Sequence, residues 1–150
     1  MIQIQEADFD LASEYAALSA SHQTGAVVTF VGKVREMNDG ATVTGLTLEH
    51  YPGMTEKSLQ AIVDKAHARW PLLGCKVIHR VGALALGEQI VLVGVASLHR
   101  EAAFAACQFI MDYLKTQAPF WKKEQTAYGA HWLEAKDSDA QAAKSWDERQ

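Results

Sequence analysis

The chain has 150 residues, 49% of them apolar and 21% charged, a balance that suits one globular unit with a real core and excludes a disordered or fibrous chain. A net charge of -4 argues against a general nucleic-acid binder, and no apolar run approaches the roughly 20 residues of a membrane-spanning helix. Cys75 and Cys107 match no zinc or redox spacing; with no signal-peptide pattern after Met1, they read as buried free thiols in a reducing, cytoplasmic setting.

Met1 to Gln5 alternates and predicts a short strand. Asp8 or Asp10 can cap a helix running to about Ala20, with Leu11, Tyr15 and Leu18 on one face. Gly25 to Val34 is rich in β-branched residues and reads as a buried strand. It leads into a polar loop, Arg35 to Gly40, expected to be mobile until something binds it. Val43 to Tyr51 alternates as a strand with one apolar face. Thr55 is a candidate cap for a helix that turns Leu59, Ile62, Val63, Ala66 and Trp70 inward and ends at Pro71. Two strands follow, Cys75 to Val81 and Ile90 to Leu98, joined by a loop at Gly87-Glu88. The second is apolar on both faces and therefore central.

From His99 the spacing of Phe104, Cys107, Ile110 or Met111, and Leu114 predicts a helix, and Pro119 ends it by pushing Ala118 out of the helical region. Phe120 to Glu124 is a strand with aromatic weight. A turn at Tyr128-Gly129 precedes His131 to Glu134, and a polar tail from Asp137 forms a short helix over Asp139 to Trp146 whose end frays. Without a Gly-rich βαβ fingerprint, an internal repeat or a linker, the economical reading is one α+β domain over 1–150, with about 137–150 as its tail.

The six histidines are dispersed and no His-Glu-x-x-His, paired-cysteine, Gly-x-Ser-x-Gly or phosphate-loop motif is present, so neither a metal site nor a cofactor is expected. His67 reads as a solvated face residue, and His79 and Arg80 point to opposite faces of a strand. What remains is a set of cations that follow strands: Lys33 and Arg35, His99 and Arg100, then Lys115, Lys122 and Lys123. His99 and Arg100 stand at a helix start, where the macrodipole disfavours cations unless an anion comes to the same place. Lys115 lies in the last helical turn and Lys122 just past the proline break, so the chain can bring both ammonium groups to one cleft, where each would lower the other's pKa. The competing account is equally simple: unconnected surface charges, with Lys115 favoured by the helix dipole. Spacing leaves both open.

Longer words narrow the choice. GAVVTFVGKVR, LTLEHYPGMTEK, RWPL, VIHRVGAL, VGVASLHREAAF and FIMDYLKTQAPFWKKE, in this order from about Gly25 to Trp146, resemble the large, catalytic subunit of molybdopterin synthase. The resemblance implies an α/β hammerhead fold with a mixed, mostly antiparallel sheet and flanking helices. It implies a central homodimer in which each large subunit binds one small, ubiquitin-like sulfur-carrier subunit, giving a heterotetramer. The carrier's C-terminal Gly-Gly thiocarboxylate would deliver sulfur to cyclic pyranopterin monophosphate, and two transfers would build the dithiolene of molybdopterin. Lys115 and Lys122 match the family's key lysines, Lys115 closest to the thiocarboxylate as acid/base or stabilising the acyl oxyanion, and Lys122 assisting proton transfer or holding substrate. Arg35, His99 and Arg100 match phosphate and pterin contacts, and Phe30 and Met111 match pocket-lining positions. Lys136 stands where an arginine is often seen, with a reach into the partner protomer's site implied and the bidentate fork lost. The rival reading is a non-catalytic module that binds the tail of a ubiquitin-like protein.

Overall fold

The structure is a computed structural model that describes residues 1–38, 40–133 and 136–148. In chain order the elements are β1 (Ile2–Gln5), α1 (Leu11–Leu18), β2 (Ala26–Lys33), β3 (Met37–Asn38), β4 (Ala41–His50), α2 (Met54–Arg69) and β5 (Leu72–Arg80). They continue with β6 (Gly82–Ala85), β7 (Gln89–Ser97), α3 (Arg100–Gln117), β8 (Phe120–Thr126), β9 (Gly129–Trp132) and α4 (Asp137–Glu148). No described helix is long and apolar enough to cross a membrane.

The strands of this α+β fold divide between two sheets. The first runs β1-β5-β7-β2, with β1 parallel to β5 and the other pairs antiparallel. β7 is buried throughout from Val91 to Ser97, as a strand apolar on both faces must be when it lies in the middle. Its odd residues Val91, Val93 and Val95 join the main core with Leu59, Ile62 and Val63 of α2 and Ala106, Phe109 and Ile110 of α3. Its even face carries Leu92, which packs with Phe9 and Ile78, and Gly94, where any Cβ would collide with the Leu18 side chain of α1. The period-two alternation therefore places α2 and α3 on one face and α1 on the other. The second sheet runs β3-β4-β8-β9, with β6 also on β4, and is antiparallel. Its small core joins Leu46 and Leu48 to Val34 and Leu84.

Several expectations give way to packing. β2 is not a buried strand but the edge of its sheet, and Thr29 and Phe30 are exposed; an apolar run does not distinguish a central strand from an edge. Leu11 and Tyr15 of α1 are exposed, leaving half-buried Leu18 as its anchor. Phe104 of α3 is exposed as well. Gly53, at φ 86°, is the N-cap of α2, and its N–H donates to the Glu56 carboxylate at 3.2 Å. Thr55 lies inside the helix, where its hydroxyl accepts from Tyr51 N and donates to the Pro119 carbonyl, both at 2.9 Å. Val43 joins the buried face with Leu46 and Leu48 because a bulge between Val43 and Gly45 resets the alternation. β6, unread in the sequence, pairs with β4 after a turn at Gly82, φ 90°. Of the Arg35–Gly40 loop, Met37–Asn38 pairs with β4 as a hairpin strand, while Asp39 lies outside the described residues. Glu134 and residues 149–150, where the tail is expected to fray, also lie outside them. The described tail is docked: Trp146 of α4 is buried in edge contact with Trp70 and Phe109.

Candidate active site

Pro119 controls the local geometry. α3 stops at Gln117, Ala118 is extended at φ -87° and ψ 129°, and the chain reverses into β8. Lys115 in the last turn of α3 and Lys122 in β8 thus come together across one bend. Phe120, Lys122 and Glu124 share the face of β8 that borders a cleft of about 500 Å³, while Trp121 points out to solvent. The opposite wall comes from the end of β2, with Phe30, Lys33 and Arg35; Met111 and Lys115 belong to the α3 side. Lys136 and Asp139, at the start of α4, complete the rim. A second hollow of about 450 Å³ adjoins the first and shares Phe30, Met111, Lys115 and Asp139 with it.

The floor is a ring stack. His79 of β5 lies 3.8 Å from Phe120, with the rings 17° from parallel, so the first sheet touches the second beneath the cleft. Burial is the main cause that holds the His79 pKa down at about 4, with the charges of Lys122 and His50 pushing the same way against a backbone hydrogen bond. Its Nδ1 lies 2.9 Å from the Arg80 carbonyl and must donate to it, which fixes the neutral tautomer. Arg80 faces the other side, where Nε and Nη2 donate to the Glu6 carbonyl at 3.0 and 2.9 Å. The expected split of this pair between two faces is what the structure shows.

Lys122 is mostly buried, and burial is the leading reason its pKa falls below the ordinary lysine value. Lys115, Lys136 and Arg35 push it the same way, and Asp139 alone among its named neighbours pushes it up. Three separate parts of the chain therefore act electrostatically on one ammonium group. Two anionic side chains in the cleft were missed in the sequence. Glu124 is 4% exposed, with its carboxylate 3.9 Å from His131 Nε2. Its signal was the two-residue step from Lys122, which places both on one face of a strand. Asp139 belongs to a stretch that reads as a polar tail, and only the docking of α4 brings it in.

The structure gathers Lys115, Lys122, Arg35, Phe30, Met111 and Lys136, together with Lys33, around one hollow. It does not bring His99 and Arg100 there. They are exposed at the N-terminus of α3, where the His99 side chain makes no capping bond. Fifteen residues at about 1.5 Å per residue put Arg100 roughly 22 Å along the helix from Lys115. Lys136 borders its own chain's cleft. Lys123 turns away, its ammonium 5.5 Å from the centre of the Trp132 ring. Both cysteines are buried, with burial pushing the Cys75 thiol up to about 11 and Cys107 to about 12, so neither is a poised nucleophile. Among the described residues, no group of three or more His, Cys, Asp or Glu is arranged to hold a metal ion. What the site presents is a set of cations suited to an anionic ligand or an oxyanion, one of them a lysine whose pKa lies below the ordinary value.

Known proteins share this arrangement of chain. The family model described as MoaE protein matches residues 4–117. The molybdopterin synthase catalytic subunit of Vibrio cholerae is 62% identical over 146 residues, covering 97% of this chain and 97% of its own. The solved MoaE molybdopterin biosynthesis protein of Burkholderia ambifaria superposes with a TM-score of 0.84 at 49% identity, covering 98% of this chain and 97% of that one. The solved molybdopterin synthase of Staphylococcus aureus gives 0.82 at 32% identity, covering 88% and 96%. On a family match across most of its length and identity of this extent end to end, the chain belongs to the MoaE family of molybdopterin synthase catalytic subunits.

Proposed function

We propose that this chain transfers sulfur from the C-terminal thiocarboxylate of a small, ubiquitin-like carrier subunit to cyclic pyranopterin monophosphate, in the cleft bounded by Lys115 and Lys122. Family membership supports the reaction. The observation that carries its location is the convergence of Lys115, Lys122, Lys136 and Arg35 on one hollow. Both reactants are anions, so a cation-rich hollow is needed at the thiocarboxylate and again at the phosphate. Arg35 takes the phosphate, and the flat pterin rests against Phe30 and Met111. The thiocarboxylate sulfur bonds to a side-chain carbon of the pterin as that carbon's C–O bond breaks and the departing oxygen takes a proton; the acyl C–S bond then breaks as a water oxygen takes the acyl carbon. The carrier leaves as a carboxylate and the sulfur stays on the pterin as a thiolate. Lys115 faces the oxyanion that forms on the acyl carbon. Lys122, its proton loosened by burial and by its neighbours, exchanges protons with the reacting groups. A second transfer completes the dithiolene.

His99 and Arg100 are too far along α3 to touch a substrate held by Lys115 of the same chain. They meet one only where a second copy brings its α3 N-terminus to this cleft, and the homodimer of the heterotetramer supplies that copy. The reading places the work in the cytoplasm, where a thiocarboxylate and two free thiols stay reduced.

The test is product formation from purified thiocarboxylated carrier and pterin precursor. Lys115→Ala should lower turnover at least about a hundredfold and leave the melting temperature and carrier binding near those of the unaltered protein. Near-normal dithiolene formation by that variant would overturn the assignment, and carrier binding with no product in the unaltered chain would favour the non-catalytic module.

A further inference from the structure

We propose that Asp139 is a positioning residue of this reaction, a fixed counter-charge that balances the lysine cluster and competes with the substrate's anionic groups for it. The inference rests on the reading of the cleft given above.

Three observations support it. Among the described residues, Asp139 is the one acidic side chain that borders both hollows; Glu124 borders only the larger and Asp112 only the smaller. Glu124 already stands beside His131. Asp112 has both oxygens engaged, one with Gln108 Nε2 at 2.8 Å and one with Trp146 Nε1 at 2.7 Å. Second, α4 is held where it is by contacts distant from the cleft. Trp146 and Ala143 are buried in the main core, and the Lys136 carbonyl accepts from Asp139 N at 3.0 Å, which fixes the first turn. Asp139 is thus presented by a docked element. Third, its charge acts on Lys122 from outside hydrogen-bond range: among the described residues, no hydrogen bond or ion pair within 4 Å holds its carboxylate. A counter-charge at that remove steadies an ammonium group without occupying its hydrogen bonds, which stay available to a ligand.

Among the described residues, the charged and titratable groups that share the cleft with Lys122 are Lys115 from α3, Lys33 and Arg35 from the end of β2, Lys136 and Asp139 from α4 and its lead-in, His79 from β5, and Glu124 on its own strand. All the cations among them favour loss of the Lys122 proton, and Asp139 opposes it. Removing that carboxylate leaves the cluster more positive, so Lys122 gives up its proton at lower pH while the cleft attracts anions more strongly.

The experiment compares Asp139→Asn and Asp139→Glu with the unaltered protein in complex with the carrier. It has two arms: the NMR titration of the Lys122 side chain, and competitive inhibition of turnover by inorganic phosphate. Asp139→Asn should move the Lys122 midpoint to lower pH and tighten phosphate inhibition about threefold, as one screened charge does; Asp139→Glu should restore both. A merely structural role would lower the melting temperature and move neither reading. An unchanged Lys122 midpoint and an unchanged phosphate constant in Asp139→Asn overturn the proposal. A Lys122→Ala variant with normal turnover would instead overturn the catalytic reading of the cleft, and both arms would still decide for or against Asp139, because neither requires Lys122 to act in the reaction.

Discussion

At Lys122, stability and chemistry pull in opposite directions. An ammonium group placed in a mostly buried position beside Lys115, Lys136 and Arg35 is disfavoured in the folded chain, which is what its lowered pKa means. The sign follows from proton linkage. The unfolded chain binds this proton more tightly, so stability rises with pH between the folded and unfolded pKa values, and the penalty is fully present below both. Lys122→Met keeps the stem and removes the charge, so it should melt at a higher temperature than the unaltered protein at pH 7. It should also lose at least about a hundredfold in turnover, as the loss of a group that moves protons does. Thermal melts and product assays on one preparation check both, and a variant that is destabilised would show that the charge is better satisfied than its surroundings imply. The meeting of the two lysines was legible in the sequence because it depends on a local cause, the reversal at Pro119. Lys122's burial was not legible, because it comes from β2 and α4, remote in sequence.

Among the elements, α3 shows where periodicity informs and where it misleads. The sequence stripe through Phe104, Cys107, Ile110 or Met111, and Leu114 runs between two real ones. Ala103, Ala106, Ile110 and Leu114 face the core, and Phe104, Cys107 or Gln108, Met111 and Lys115 border the second hollow. Both stripes keep helical spacing, and only the neighbours decide which is buried. α4 poses the reverse problem, since little in a polar tail announced a docked helix except Trp146. That indole makes edge contacts with Trp70 and Phe109 and donates to Asp112. The Arg69 guanidinium lies 5.5 Å over its ring and donates to the Trp146 carbonyl at 3.3 Å. Truncating a buried tryptophan costs about 3–5 kcal/mol. Here the cost should emerge first as detachment of α4, because that helix packs mainly on α3 and the end of α2 rather than on a sheet. Trp146→Ala should therefore exchange the α4 amide hydrogens rapidly, release Lys136 and Asp139 from the cleft and lower turnover, with β7 still protected. Uniform loss of protection across α4 and β7 would mean that α4 is integral to the core.

For the molecule as a whole, the decisive feature is that the cleft is the seam between two sheets, closed underneath by one histidine. His79 belongs to the sheet of β5 and β7, and Phe120 belongs to the sheet of β4 and β8; their stack joins the halves that carry Arg35 on one side and Lys122 on the other. A sequence displays such a seam poorly, since each strand's alternation reports its own sheet and says nothing about which sheets meet. The seam nevertheless has a pH dependence of its own. His79 is neutral when folded, with a pKa of about 4 against 6.5 for an ordinary histidine. Below pH 6.5 the unfolded chain takes up a proton that the folded chain refuses, so stability falls as pH drops from 6.5 towards about 4 and this contribution then levels off. The full loss is on the order of 3 kcal/mol. His79→Phe keeps a ring against Phe120 and cannot be protonated, so its urea midpoint should decline less than that of the unaltered chain between pH 7 and pH 4.5. Carboxylates also titrate in that range, but they act on both chains alike, so the difference between the two curves isolates His79. Parallel curves would show that the histidine is accommodated in its charged form, and that the joint between the sheets does not depend on keeping the proton out.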